Sequence, residues 1–367
     1  MSQDRLISVD AFRGLTVAAM VLVNNPGSWS FIYAPLRHAP WHGWTPTDLV
    51  FPFFLFIVGI SISLSLGRKA AEGARSAALV FKILKRSALI FGLGLFLHLF
   101  PQFHPSTVRI PGVLQRIALC FLFGALIFLK TRPRMRLALS LLLLVGYWAL
   151  RTFVPVPGFG PGVLAEHGNL AGYVDGKLLA GHIYKPDFDP EGLLSTIPAI
   201  VTVLLGTVAG DGLRSRHTNS RKSLQMFAWG IALTAAGLLL DKVFPINKQL
   251  WTSSYVVFTA GMAVLVFALM FAALEGPRWR GWAWPFLVLG TNAIAVIAGS
   301  ALVVKSLMLI KITEGERVVN PMGYVYGHWL SPLAGPTLGS LLYAVLFVAF
   351  WIALIAPLYK HKIFIKL

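Results

Sequence analysis

Long, almost uncharged apolar blocks constrain this chain more than any other feature of its sequence. A helix needs about 20 mostly apolar residues to cross the hydrocarbon core of a bilayer. Ten blocks of roughly this length occur, at residues 6–23, 49–66, 83–100, 112–129, 137–154, 193–210, 224–240, 251–274, 284–304 and 338–357. The sequence therefore predicts an all-α, polytopic integral membrane protein: a bundle of about ten transmembrane helices that forms a single domain over residues 1–367.

Basic residues are concentrated in alternate loops of this predicted bundle. The chain has 32 Lys and Arg against 14 Asp and Glu, which gives a net charge of +18. Most of the surplus lies in the C-terminal tail and in loops 67–87, 130–136, 211–223 and 275–283. Short loops rich in Lys and Arg face the cytoplasm, so we expect both termini there. Because topology explains the charge, no nucleic-acid partner is expected.

The loops on the other side are long and rich in His and Trp, and His38 and Asp48 lie together just before the second span. Imidazole can act as base, acid or nucleophile near neutral pH. A carboxylate at the membrane edge is costly without a partner, so an Asp48 that orients His38 would explain its position. An interfacial aromatic belt with incidental histidines is the structural alternative. Pro40 and Gly43 disfavour a helical metal pair of His38 and His42, and no metal is expected.

Further polar residues interrupt the apolar blocks and are candidate ligand contacts. Arg116, beside Gln115, lies one turn into the fourth span, where a guanidinium either binds an anion or extends to the interface. Arg binds phosphate through its planar fork, which makes Arg109 a weaker candidate of the same kind. The other candidates are Asn24, Asn247, Ser254, Tyr255 and Asn292. A helix end for Asn24 and an interhelical bridge for Asn292 are the structural alternatives.

Five segments in order resemble the heparan-α-glucosaminide N-acetyltransferase family of transmembrane acetyltransferases. They are residues 8–14, 38–52, 108–116, 189–192 and 247–255, and Gly290-Thr291-Asn292 fits as well. The resemblance implies transfer of an acetyl group from cytosolic acetyl-CoA to an amino-sugar acceptor across the membrane. The active histidine of the family falls on His38, its Asp on Asp48 and its motif Asn on Asn24. Two departures are a longer segment between Asn24 and His38 and the presence of His42 where the family usually has Asn.

The resemblance also implies roles and a location. The implied catalytic residues are His38, Asp48 and Asn24. His38 would act as base or as acetyl-accepting nucleophile, Asp48 would fix its tautomer, and Asn24 would line a cavity at the level of His38, together with Arg116 and Asn292. Acetyl-CoA contacts are expected from Arg116, Gln115, Arg109, Asn247, Ser254, Tyr255 and Asn292. The lumenal domain and extra leading span of the animal enzyme are not seen in these residues. We therefore expect a homodimeric homologue in the bacterial inner membrane, with His38 toward the periplasm.

Two other functions fit a polytopic bundle. One is a transporter of a sugar or glycan fragment, although transporters often show inverted repeats and none is evident between the two halves of this chain. The other is a polytopic O-acyltransferase that acts on envelope glycans. The product separates this last enzyme from an N-acetyltransferase, because one makes an ester and the other an amide.

Overall fold

The computed structural model describes residues 6–71, 76–276, 280–314 and 317–365. Its helices follow the apolar blocks of the sequence. They are α1 (Ile7–Asn24), α2 (Pro46–Ala71), α3 (Ala77–Leu99), α4 (Val113–Lys130), α5 (Pro133–Phe153), α6 (Leu170–Leu178), α7 (Leu193–Leu213), α8 (Asn219–Leu240), α9 (Ser253–Glu275), α10 (Trp284–Thr291), α11 (Ala293–Leu309), α12 (Pro321–Val325), α13 (Ser331–Ala334) and α14 (Pro336–Lys360).

The prediction of a polytopic helical membrane protein is confirmed, with two corrections to the spans. Within the described ranges, eight helices are long and apolar enough to cross a membrane: α1, α2, α4, α5, α7, α8, α9 and α14. The predicted ninth span is bent by 72° between α10 and α11, where the backbone of Asn292 leaves the helical conformation. The predicted third span corresponds to α3, which is not among these eight helices. It is continuous over 23 residues but carries Lys82, Lys85 and Arg86 in its first half.

The long loops contain short ordered elements. The loop after α5 contains α6, and the loop after α11 contains α12, α13 and a five-residue π-helix. The same loop also holds two short antiparallel strands, β1 (Ile312–Glu314) and β2 (Arg317–Val319), in which Ile312 pairs with Val319. The all-α prediction therefore holds apart from this hairpin.

Glycines allow α2 and α7 to pack with their backbones in contact. A Cβ atom at Gly59 would lie 2.1 Å from the carbonyl oxygen of Val203, and one at Gly206 would lie 2.1 Å from that of Phe56. Small residues permit this close approach between membrane helices. α2 also packs against α1, α4 and α9, so the Gly59 contact lies in the middle of the bundle.

Replacement of Gly59 by Ala is expected to destabilise the bundle, because a methyl group would force these two backbones apart. Overpacking of this kind costs about 1–3 kcal/mol. Gly92→Ala in α3 is the matched control, since a Cβ there meets no atom within 4 Å. The apparent melting temperature of each variant in detergent is the measurement. Equal melting temperatures for the two variants would contradict the close α2–α7 contact.

Two groups of polar contacts lie at opposite ends of the bundle. At one of them, which we call the tail end, Arg13 donates to Asp10 at 3.1 Å and to the Gly290 carbonyl at 3.3 Å. The tail segment 361–365 reaches the same place through Asn292. The first and last described segments thus meet at one end, as the topology prediction requires. Arg5, Arg75, Arg278 and Lys366, which contribute to the predicted charge bias, lie outside the described residues. The opposite end, which we call the His38 end, carries His38 and the start of α2.

Candidate active site

Asp48 is a buried carboxylate at the His38 end of the bundle. It lies in the first turn of α2, where the helix dipole favours a negative charge. One carboxylate oxygen, Oδ2, accepts hydrogen bonds from the Thr45 amide at 3.0 Å, the Thr45 hydroxyl at 3.1 Å and the Ala39 amide at 3.0 Å. Its side chain is only 1% exposed, so these donors replace the water that an ionised carboxylate needs.

The second oxygen of Asp48 orients His38. Nδ1 of the imidazole lies 2.6 Å from Asp48 Oδ1, so the pair expected from the sequence is formed. An ionised carboxylate only accepts hydrogen bonds, so Nδ1 carries the proton, and Nε2 keeps its lone pair in the neutral ring. The His38 side chain is 42% exposed and can therefore be reached by a reactant. This is the arrangement that a general base or a nucleophile requires.

Lys248 is a third member of this group. Its Nζ atom lies 3.0 Å from Nδ1 and 3.3 Å from Nε2 of His38, and 3.6 Å from Asp48 Oδ1. Burial lowers the pKa of Lys248, while the Asp48 and Glu191 carboxylates oppose that shift. No local sequence pattern indicates this lysine, although it lies inside the segment 247–255 that carries the family resemblance.

Asn247 and Tyr255 hold the two sides of the site together. The Asn247 side chain donates to the Trp41 carbonyl at 2.9 Å and accepts from the Leu250 amide at 2.8 Å. The Tyr255 hydroxyl donates to the backbone carbonyl of Asp48 at 2.5 Å. These two predicted acetyl-CoA contacts therefore form structural hydrogen bonds. Asn247 joins the loop before α9 to the loop that carries His38, and Tyr255 joins the start of α9 to the start of α2.

Arg109 is engaged by two carboxylates. Its Nε and Nη2 atoms donate to Asp189 at 2.8 and 2.6 Å, and Nη2 also donates to Glu191 at 2.5 Å. Burial lowers the pKa of Arg109, but Asp189 and Glu191 together raise it by more than burial lowers it, so the net shift is upward. A guanidinium paired in this way ties the loop before α7 to the start of α4. The contact of Arg109 with acetyl-CoA stays a prediction.

Arg116 and Gln115 keep unpaired polar atoms inside the bundle. Nη2 of Arg116 donates to the Ser195 hydroxyl at 2.5 Å and to the Gly192 carbonyl at 3.2 Å. Within the described part of the chain, Arg116 Nε and Nη1 and Gln115 Oε1 are buried without a partner. Each such group costs about 1–3 kcal/mol unless water or a ligand satisfies it. Both residues therefore remain candidates for contact with a bound polar molecule.

Two further buried charged residues, Arg151 and Asp175, were not expected from the sequence. Arg151, near the end of α5, donates to the Asn169 side chain at 3.2 Å, and Asp175 accepts from the Leu193 amide at 2.8 Å. Burial raises the pKa of Asp175 to about 6, with Asp189 adding to the shift and Arg116 and Arg151 opposing it. The available signal was the charge of Arg151 inside the predicted span 137–154.

The raised pKa of Asp175 predicts a pH-dependent stability. The unfolded carboxyl titrates near 3.8 and the folded one near 6. As pH rises between these values the unfolded chain loses its proton first, so the stability of the folded protein falls by up to about 3 kcal/mol. Asp175→Asn removes this titration. We expect the melting temperature of the wild type, relative to the variant, to fall from pH 4 to 7 and then to level off. A difference that is constant with pH would contradict this prediction.

The remaining predicted site residues lie elsewhere. Asn24 is the exposed last residue of α1, and no contact within the described ranges joins it to His38. Ser254 contacts the Thr252 hydroxyl at 3.1 Å. Asn292 donates to the Ile363 carbonyl at 3.2 Å and accepts from the Ile365 amide at 2.7 Å. Asn292 therefore belongs to the tail end and does not line a cavity at the level of His38.

Comparison with known proteins gives one consistent result. The family model described as heparan-alpha-glucosaminide N-acetyltransferase, catalytic, matches residues 5–239. The Homo sapiens protein named heparan-alpha-glucosaminide N-acetyltransferase is 34% identical over 354 residues, covering 80% of this chain and 52% of the relative. The Mus musculus protein of the same name is 33% identical over 357 residues, covering 81% and 53%. The chain thus spans about half the length of these relatives. The family-model match includes His38 and Asp48 and ends before Lys248.

Proposed function

The chain belongs to the heparan-α-glucosaminide N-acetyltransferase family, and we propose that it transfers the acetyl group of acetyl-CoA to the amino group of a glucosamine-type sugar. The observation that carries this proposal is the His38–Asp48 pair, in which a buried carboxylate orients an imidazole whose side chain is 42% exposed. A base or nucleophile of this kind accelerates acetyl transfer to an amine. No metal is required for the reaction.

The geometry fits two routes for the transfer. In the first, Nε2 of His38 attacks the thioester carbonyl and the thiolate of CoA leaves; the sugar amine then attacks the acetyl-imidazole, the bond to Nε2 breaks, and the amine proton passes to the released imidazole and on to the thiolate. In the second, the amine attacks the thioester directly, His38 accepts the amine proton, and the thiolate of CoA leaves and takes up that proton. Asp48 stabilises the positive imidazole ring that forms in either route.

We propose that the His38 end faces the periplasm of a bacterial inner membrane and that the tail end faces the cytoplasm. The basic loops and the meeting of both described ends at the tail end support this orientation. Acetyl-CoA would approach from the cytoplasm. Arg116 and Gln115, which keep unpaired buried atoms, would contact it or the sugar, and Ser254 and Asn24 would contribute to the surrounding walls. The whole chain would act as one acyltransferase domain, paired in a homodimer as the resemblance implies.

The test is incubation of the purified protein with acetyl-CoA and glucosamine, followed by mass spectrometry of the products. We expect equal amounts of free CoA and N-acetylglucosamine. An ester product, identified by its cleavage with hydroxylamine, would favour the O-acyltransferase. Uptake of the sugar into vesicles without acetyl-CoA would favour the transporter. Absence of an amide product from a panel of amino sugars would overturn the proposal.

A further inference from the structure

The close contact between His38 and Asp48 raises the question of how the imidazole ring stays uncharged. A carboxylate 2.6 Å from Nδ1 stabilises the positively charged imidazolium form of histidine. The imidazolium has no lone pair on Nε2, so it can neither accept a proton nor attack a carbonyl carbon. Only molecules with a neutral ring can act as base or nucleophile, so a group that favours the neutral ring would increase the reactive fraction.

Lys248 is the group that is placed to do this. Its ammonium nitrogen is within 3.3 Å of both ring nitrogens of His38, so it contacts the ring as a whole and would be close to the added proton of an imidazolium. The lysine side chain is 17% exposed, and two like charges at this distance, partly shielded from water, repel each other strongly.

Burial, and to a smaller extent Arg116 from α4, lowers the pKa of Lys248, while Asp48 from α2 and Glu191 from the loop before α7 oppose this shift. The Asp48 carboxylate, 3.6 Å from Nζ, is the contact that stabilises the ammonium form. The neighbouring residue Asn247 donates to the Trp41 carbonyl, which holds the backbone beside Lys248 against the loop that carries His38. The Lys248 ammonium group therefore lies next to the imidazole ring.

We propose that Lys248 is a positioning residue whose ammonium group keeps the His38 imidazole neutral while Asp48 fixes its tautomer. This inference deepens the proposed acetyl transfer and takes its reaction from it. Asp48 supplies orientation and Lys248 offsets the excess negative charge, so that Nε2 keeps its lone pair at neutral pH. In the covalent route the same ammonium raises the reactivity of the acetyl-imidazole, because the positive charge beside the ring withdraws electrons from the acyl carbon.

The direct test is the pH dependence of His38 modification by diethyl pyrocarbonate, which reacts with neutral imidazole. The modified peptide is quantified by mass spectrometry for the wild type, Lys248→Met and Lys248→Arg. We expect the midpoint for Lys248→Met to move upward by about one pH unit, so that His38 reacts about tenfold more slowly on the acid side of the midpoint. Lys248→Arg keeps a positive charge and should follow the wild type.

The control variant is Lys185→Met, because Lys185 lies at the same end of the bundle with a 52% exposed side chain paired with Glu166. The same midpoint in Lys248→Met and the wild type would overturn the inference, as would a change in rate that is equal at every pH. This readout does not depend on acetyl transfer. A shifted midpoint in a protein that acetylates nothing would sustain the role of Lys248 while refuting the proposed function.

Discussion

Substitution of His38 by Ala is expected to lower the rate of acetyl transfer by at least about a thousandfold, because it removes the base or nucleophile and leaves only binding and positioning. The side chain is 42% exposed, so the melting temperature should change little. The measurement is the rate of N-acetylglucosamine formation by purified protein at saturating acetyl-CoA.

The control for this substitution is His167→Ala. His167 also lies at the His38 end, bonded to Asp187, but its side chain is 74% exposed, and its removal should leave the rate unchanged. A folded His38→Ala protein that retains more than about a tenth of the wild-type rate would exclude His38 from the chemistry, since a lost general base costs far more than that.

Asp48→Asn should have the second largest effect, and the hydrogen bonds explain why. Oδ2 of Asp48 accepts two backbone N–H groups and the Thr45 hydroxyl, so the oxygen of the new amide is held at that position. The amide NH₂ then faces Nδ1 of His38, which has to accept a hydrogen bond. The proton moves to Nε2, and the lone pair is lost from the reacting nitrogen.

The expected consequence is a fall in kcat of about 10²–10⁴-fold, as for a carboxylate-to-amide change in other His–Asp pairs. Binding of acetyl-CoA and the melting temperature should change much less, because the amide keeps the contacts to the loop. Asp187→Asn, at a carboxylate with 58% exposure, is the matched control. Full activity in Asp48→Asn would show that the tautomer of His38 is irrelevant to the reaction.

The sequence predicted the bundle and the central pair, but not the partners of the pair. Apolar length alone located the helices, and the cost of a carboxylate at the membrane edge indicated that Asp48 and His38 would meet. The contact with Lys248 joins residues 210 positions apart in the chain. No local pattern predicts a contact over such a distance, so the sequence alone does not indicate a role for Lys248.

The predicted acetyl-CoA contacts also depend on packing partners that are distant in the sequence. A polar residue at a helix end can bind a ligand or hold the fold, and the choice depends on what packs opposite it. Arg109 faces Asp189 and Glu191, Tyr255 faces the backbone of Asp48, and Asn292 faces the tail. Only Arg116 and Gln115 among these candidates retain buried atoms without a partner within the described ranges.

The most direct test of transmembrane acetyl transfer uses proteoliposomes with labelled glucosamine trapped inside and acetyl-CoA added only outside. We expect labelled N-acetylglucosamine to form inside the vesicles, from those molecules whose tail end faces outward, and none to form with His38→Ala. Intact vesicles are verified by retention of a trapped dye. Formation of product only when both substrates are on the same side of the membrane would contradict the account.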